Sequence, residues 1–130
     1  MKNRGFTLIE VLIVVIILGI LASIAVPQYA NSIEKAKTGE AKTNLGSILT
    51  GEKLYYLEWE SYVNATDMSA INAILDVDIS GRYFAYEVCG ATDLGFTAIA
   101  TRNGGPWHGQ TITMDQTGAI GGEHQFAVTR

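Results

Sequence analysis

The sequence predicts an α+β fold in which one long amino-terminal helix, half membrane-spanning and half amphipathic, packs on a small antiparallel β-sheet. Three observations predict it. Residues 6–26 are apolar except for Thr7, Glu10, Gly19 and Ser23. Residues 28–59 contain no proline and repeat apolar side chains at helical spacing. Beyond residue 81, short runs rich in aromatic and β-branched residues alternate with turn signals. One helix followed by a run of strands is the element order of an α+β domain, with the sheet covered on one face.

The chain opens on a short basic segment, Met1-Lys2-Asn3-Arg4-Gly5. The apolar run that follows, about 21 residues at about 1.5 Å each, reaches about 31 Å, enough to cross a hydrocarbon core of about 30 Å. It is too long for the apolar part of a secretory signal peptide, which runs about 7 to 15 residues. Lys2 and Arg4 place its start on the cytoplasmic side and everything after Val26 outside. A plain anchor leaves Glu10 unexplained. A carboxylate there costs roughly 2.5 to 3.5 kcal/mol on insertion scales, so it needs a cation at the same depth.

Pro27 lacks an N–H and crowds the carbonyl of Ser23, so a kink is expected there, with Gly19 a second weak point in the helix. Both residues are also tolerated in ordinary membrane helices. Beyond them, Ala41, Leu45, Ile48, Leu49, Tyr56 and Trp59 form the stripe expected to face a sheet. Glu34, Lys35, Lys37, Glu40, Lys42, Glu52 and Lys53 are expected on the solvated remainder. Tyr55, Tyr56, Trp59 and Tyr62 cluster near the helix end; with Glu58 and Glu60 beside them and no interleaved cations, they read as helix-on-sheet packing rather than a stacking platform for nucleic acid.

Residues 61–81 read as a connection, with Thr66 or Asp67 capping a short helical turn through Ala70, Ile71 and Ile74 that Gly81 ends. Strands are expected at 83–88, 96–101 and 111–114, with a possible last strand at 125–129. Asn103-Gly104-Gly105-Pro106 and Asp115-Gln116-Thr117-Gly118 are turn signals. Cys89 is expected to be a small buried residue.

Lys2-Asn3-Arg4-Gly5 followed by Phe6-Thr7-Leu8-Ile9-Glu10-Val11-Leu12-Ile13-Val14-Val15, continuing through Ala25-Val26-Pro27-Gln28-Tyr29, resembles the amino-terminal signature of the type IV pilin family, which includes the pseudopilins of type II secretion. The resemblance covers about a quarter of the chain. It implies that a membrane-embedded peptidase and methyltransferase cuts between Gly5 and Phe6 and methylates Phe6. It implies that Glu10 selects and registers each incoming subunit, and that the stretch between Gly19 and Pro27 can unwind in the assembled filament. Cleavage exposes an α-ammonium on Phe6, with a reference pKa of about 7.7 to 8.0, about one helical turn from Glu10. In a low dielectric, attraction between this ammonium on one subunit and Glu10 on its neighbour offsets part of the desolvation cost of both.

The organisation expected is a leader at 1–5, a membrane and filament-core helix at 6–26, its amphipathic continuation at 27–60 and a globular head at 61–130. With residues 1–5 present, the sequence is read as the uncut precursor, held in the membrane because Lys2 and Arg4 would have to leave the cytoplasmic face. Loss of those two charges takes the formal net charge of 130 residues from −4 to −6. That acidic balance argues against nucleic acid as the main partner. The partners implied are further copies of the chain in a helical filament, the prepilin peptidase, a membrane platform protein and an assembly ATPase. The localisation implied is the inner membrane before assembly and an extracellular pilus afterwards, supporting adhesion, twitching motility or DNA uptake.

No catalytic constellation and no cofactor or metal site is expected. A single cysteine excludes an internal disulfide, where many pilins of Gram-negative bacteria close a carboxy-terminal loop with one. His108 and His124 have no helical metal-pair spacing, and Asp76 with Asp78 falls short of the six to eight oxygens calcium takes. Asn64-Ala65-Thr66 fits a glycosylation sequon by pattern alone. Arg82 and Arg102 are isolated cations, of the kind usually solvated or paired.

The alternatives are a pseudopilin and a membrane-anchored enzyme or binding module with an ordinary anchor. Gly105-Pro106-Trp107-His108 is not the Trp-Gly-x-Pro-Tyr type of segment expected of a major pseudopilin, which favours the pilin. An anchored enzyme would carry an acid/base or nucleophile group among the strands and be indifferent to Glu10.

Overall fold

The structure, a computed structural model, describes residues 3–128. Lys2, one of the two leader cations, and the end of the expected strand at 125–129 lie partly or wholly outside that range. Six elements follow in order: α1 (Leu8–Trp59), α2 (Met68–Leu75), β1 (Phe84–Cys89), β2 (Thr97–Arg102), β3 (Thr111–Asp115) and β4 (Ile120–Gly121). The four strands form one antiparallel sheet in sequence order. Contacts divide the chain into Met1–Lys35 and Ala36–Arg130.

In the first unit the apolar side chains of α1 are open to the surroundings, and the helix passes Gly19 and Pro27 without interruption. Ser23 Oγ donates to the Ile20 carbonyl at 2.6 Å, satisfying its hydroxyl within the helix. A mean hydropathy of 3.0 over 18 residues makes α1 long and apolar enough to cross a membrane.

In the second unit, Ala41, Leu45 and Ile48 are fully buried and share one core with Ile71 and Leu75 of α2 and Phe84, Tyr86, Val88, Ala98, Ala100, Ile112 and Met114 of the sheet. Each buried Leu or Ile contributes about 1.5–3 kcal/mol relative to exposure. Along β1 the burial alternates strictly, so Phe84, Tyr86 and Val88 face α1 while Ala85, Glu87 and Cys89 face outward. Cys89 is therefore exposed, correcting the expectation of a buried thiol: it follows Val88, and adjacent strand residues take opposite faces.

The stripe on α1 also differs from expectation. Trp59 is 65% exposed, whereas Glu34 and Glu52 are buried. Glu52 lies one turn beyond Ile48, so helical periodicity carries it inward whatever its charge.

Asp67 caps α2, its carboxylate accepting from Ala70 N–H at 2.9 Å. The helix ends at Asp76 in the left-handed region, φ 49°, rather than at Gly81. Asn72 then clamps the following loop, donating to the Ile79 carbonyl and accepting from its N–H. Between β3 and β4, Asp115 accepts from the N–H and hydroxyl of Thr117 and from Ala119 N–H. This turn draws Ile120–Gly121 alongside β3. Residues 125–128 form no strand; Ala127 N–H donates to the His124 carbonyl in a turn.

Candidate assembly site at the amino terminus

Residues 3–7 are non-helical and α1 begins at Leu8, so the bond between Gly5 and Phe6 lies in exposed chain just ahead of the helix. A methyl group built on Gly5 meets nothing within 4 Å. Any demand for a small residue there comes from outside this chain.

Thr7 and Glu10 hold the helix start together. Glu10 N–H donates to Thr7 Oγ1 at 3.3 Å, and Thr7 N–H donates to Glu10 Oε2 at 3.4 Å. This reciprocal pair is a capping box, which satisfies two amide groups that a helix start leaves without partners. The spacing Thr7-Leu8-Ile9-Glu10 is its sequence signature, which lies inside the apolar run and gives Glu10 a backbone partner as well as a charge. Glu10 is exposed, and the flanking Phe6, Leu8 and Ile9 are 84%, 89% and 60% exposed. A carboxylate thus stands among bare apolar side chains, one turn from the Gly5–Phe6 bond. Gly19 likewise faces open space at its Cβ position.

The remaining candidate residues serve the head's own structure. Arg102 is buried, donates to the carbonyls of Tyr83 and Asn103, and lies 5.6 Å from the ring centres of Tyr83 and Phe84. His124 is buried beside Phe84, Trp107 and Phe126, and its Nδ1 accepts from Phe126 N–H. His108 Nδ1 accepts from Gly104 N–H. Asn64 Oδ1 accepts from Ala91 N–H, tying the sequon to the loop after β1. Of the aromatic cluster, Tyr62 packs on Phe96 at 4.9 Å while Tyr55 and Trp59 stack along the helix surface.

Glu52 is the functional-looking group that sequence reasoning misplaced. Its Oε2 accepts from Val63 N–H at 3.0 Å, and its buried Oε1 has no hydrogen-bond partner among the described residues. Burial pushes its carboxyl above the usual carboxylate range, only partly opposed by the Val63 bond.

The profile of the prokaryotic N-terminal methylation motif matches residues 1–26. The type IV major pilin protein PilA of Myxococcus xanthus is 49% identical over 61 residues, covering 47% of this chain and 28% of that protein. The type II secretion system core protein G of Pseudomonas aeruginosa is 43% identical over 61 residues, covering 47% of this chain and 43% of that protein. A fimbrial protein of Dichelobacter nodosus is 32% identical over 104 residues, covering 78% of this chain and 62% of that protein. The chain thus spans less than two thirds of the length of each of these relatives. On the methylation motif at its amino terminus and the similarity that extends from it, the chain is similar to type IV major pilins and to core protein G of type II secretion.

Proposed function

We propose that the chain is a structural subunit of a type IV pilus rather than an enzyme. Residues 1–5 are a leader removed by a prepilin peptidase, which cuts between Gly5 and Phe6 and methylates Phe6. Residues 6–26 then form the filament core, 27–60 carry the head, and 61–130 complete it on the outside. The subunit waits in the inner membrane and leaves it as the extracellular filament grows, driven by a platform protein and an ATPase. The observation that carries this reading is an exposed apolar segment, residues 6–26, with a single carboxylate, Glu10, one turn from an accessible Gly5–Phe6 bond.

The mechanism follows from charge and depth. Before cleavage, the Glu10 carboxylate accepts from Thr7 N–H at the helix start. After cleavage, the ammonium of Phe6 on a staggered neighbour supplies the cation that a carboxylate in hydrocarbon requires. Apolar side chains left open in the single chain are then covered by those of other copies. In the filament, Gly19 and Pro27 are where α1 unwinds, since neither contributes a stabilising helical side chain and Pro27 donates no hydrogen bond.

The similarity to core protein G over about the same length as the pilin match favours a second reading, a pseudopilin. Mass spectrometry of filaments sheared from cells tests the first. A dominant protein whose amino-terminal peptide begins at methylated Phe6 supports it. Absence of the chain from sheared filaments, with loss of protein secretion on its deletion, supports the pseudopilin instead.

A further inference from the structure

We propose that the groove between the last turns of α1 and α2 receives the basic side of α1 from a second copy of this chain; the inference rests on the filament reading above. The groove, about 210 Å³, runs between Leu54, Tyr55 and Glu58 on α1 and Ile74, Leu75 and Asp76 on α2. Leu54 and Ile74 are 59% and 42% exposed although they flank the core, so apolar surface stands open in a small head. Glu58 and Asp76 are exposed at its rim, and no cation lines it among the described residues.

The occupant is set by charge and by the helix itself. Lys42 and Lys53 lie about three turns apart, which places both on one side of α1 at about 100° per residue. Glu58 falls roughly 140° around the axis from Lys53, so the acidic groove and the basic side belong to different flanks of the same helix. Gly39 and Gly46 lie along the basic side, and their Cβ positions meet nothing within 4 Å. Gly39 and Gly46 add no side chain to this flank, so another element can approach the backbone at those two positions. Lys53 is exposed and extends over the same flank.

Two complementary surfaces on different flanks of one molecule make a heterologous contact, which does not close into a two-fold dimer and is compatible with the helical array of a filament. Apolar contact at Leu54 and Ile74 supplies the association, and the lysine-to-carboxylate match selects its register. This contact lies in the head, separate from the Phe6 and Glu10 pairing in the membrane.

Charge reversal in the full chain tests it. Glu58→Lys with Asp76→Lys, or Lys42→Glu with Lys53→Glu, should lower sheared-filament yield at least about tenfold while the cleaved subunit accumulates normally in the membrane. The four changes together should restore yield to within about threefold of the unsubstituted chain. Normal filament yield from either double variant overturns the proposal, as does a quadruple variant no better than the doubles. Failure of the unsubstituted chain to enter filaments overturns the underlying pilus reading, a distinguishable result.

Discussion

Replacing Gly51 with alanine sets two effects of known size against each other. A methyl group there would lie 2.9 Å from Leu75 Cβ, 3.1 Å from Val77 Cγ1 and 3.3 Å from the Leu75 carbonyl oxygen. The first contact is with a side-chain root next to the backbone, so α2 itself must move. Overpacking of this kind costs about 1–3 kcal/mol. Alanine returns about 0.8–1.0 kcal/mol in helix propensity. The balance leaves Gly51→Ala destabilising by about 0–2 kcal/mol. Gly46, five residues earlier in α1, meets nothing within 4 Å, so Gly46→Ala keeps the whole propensity gain. Thermal unfolding of the detergent-solubilised chain, followed by near-ultraviolet circular dichroism of the head, separates the two. At about 4–8 °C per kcal/mol for a head of this size, Gly46→Ala should raise Tm by several degrees and Gly51→Ala should leave it unchanged or lower it. Equal stabilisation by both would refute the close approach of α2 to α1.

Three other outcomes follow from the head. Burial raises the Glu52 carboxyl above its unfolded value, so its stabilising contribution is complete below about pH 4.5 and fades as pH rises through the folded value; Glu52→Gln should flatten that decline in denaturant titrations. The Thr117 hydroxyl, with the turn amides of Ala119, Thr117 and Gly118, holds the Asp115 carboxyl below its ordinary value. Its contribution is therefore present above the unfolded value and lost as pH falls through the folded one, so Asp115→Asn should lower stability at neutral pH and shrink the loss on acidification. Cys89 faces outward from β1, so a maleimide should label the folded head to completion without denaturant, and protection of the thiol would contradict the strand register.

Much of this architecture was legible because local signals agreed with the fold. The Asp67 cap, the turn at Asp115 and the strand cores announced themselves, and the three longer strands lie within one residue of expectation. What escaped notice was decided by neighbours rather than by residue type. Glu52 enters the core because its position on α1 points there and Val63 supplies a donor. Cys89 turns outward by strand parity, and Trp59 is left exposed beside Tyr55 at the helix end. Ile120–Gly121, between glycines of low strand propensity, joins the sheet because the Asp115 turn delivers it. At the amino terminus, the apolar run and Glu10 stood out at once. The capping role of Glu10 did not, since a carboxylate in a membrane helix invites a search for a cation before a backbone amide.

The pairing proposed for Glu10, beside its observed capping bonds, gives the most direct test. Glu10→Gln retains a side-chain oxygen able to accept from Thr7 N–H, so the helix start is preserved while the charge is removed. The quantity to measure is sheared-filament yield from Glu10→Gln relative to the unsubstituted chain at matched levels of cleaved subunit. A loss of about tenfold or more is expected if the carboxylate meets the Phe6 ammonium of a neighbour, and equal yield would contradict it.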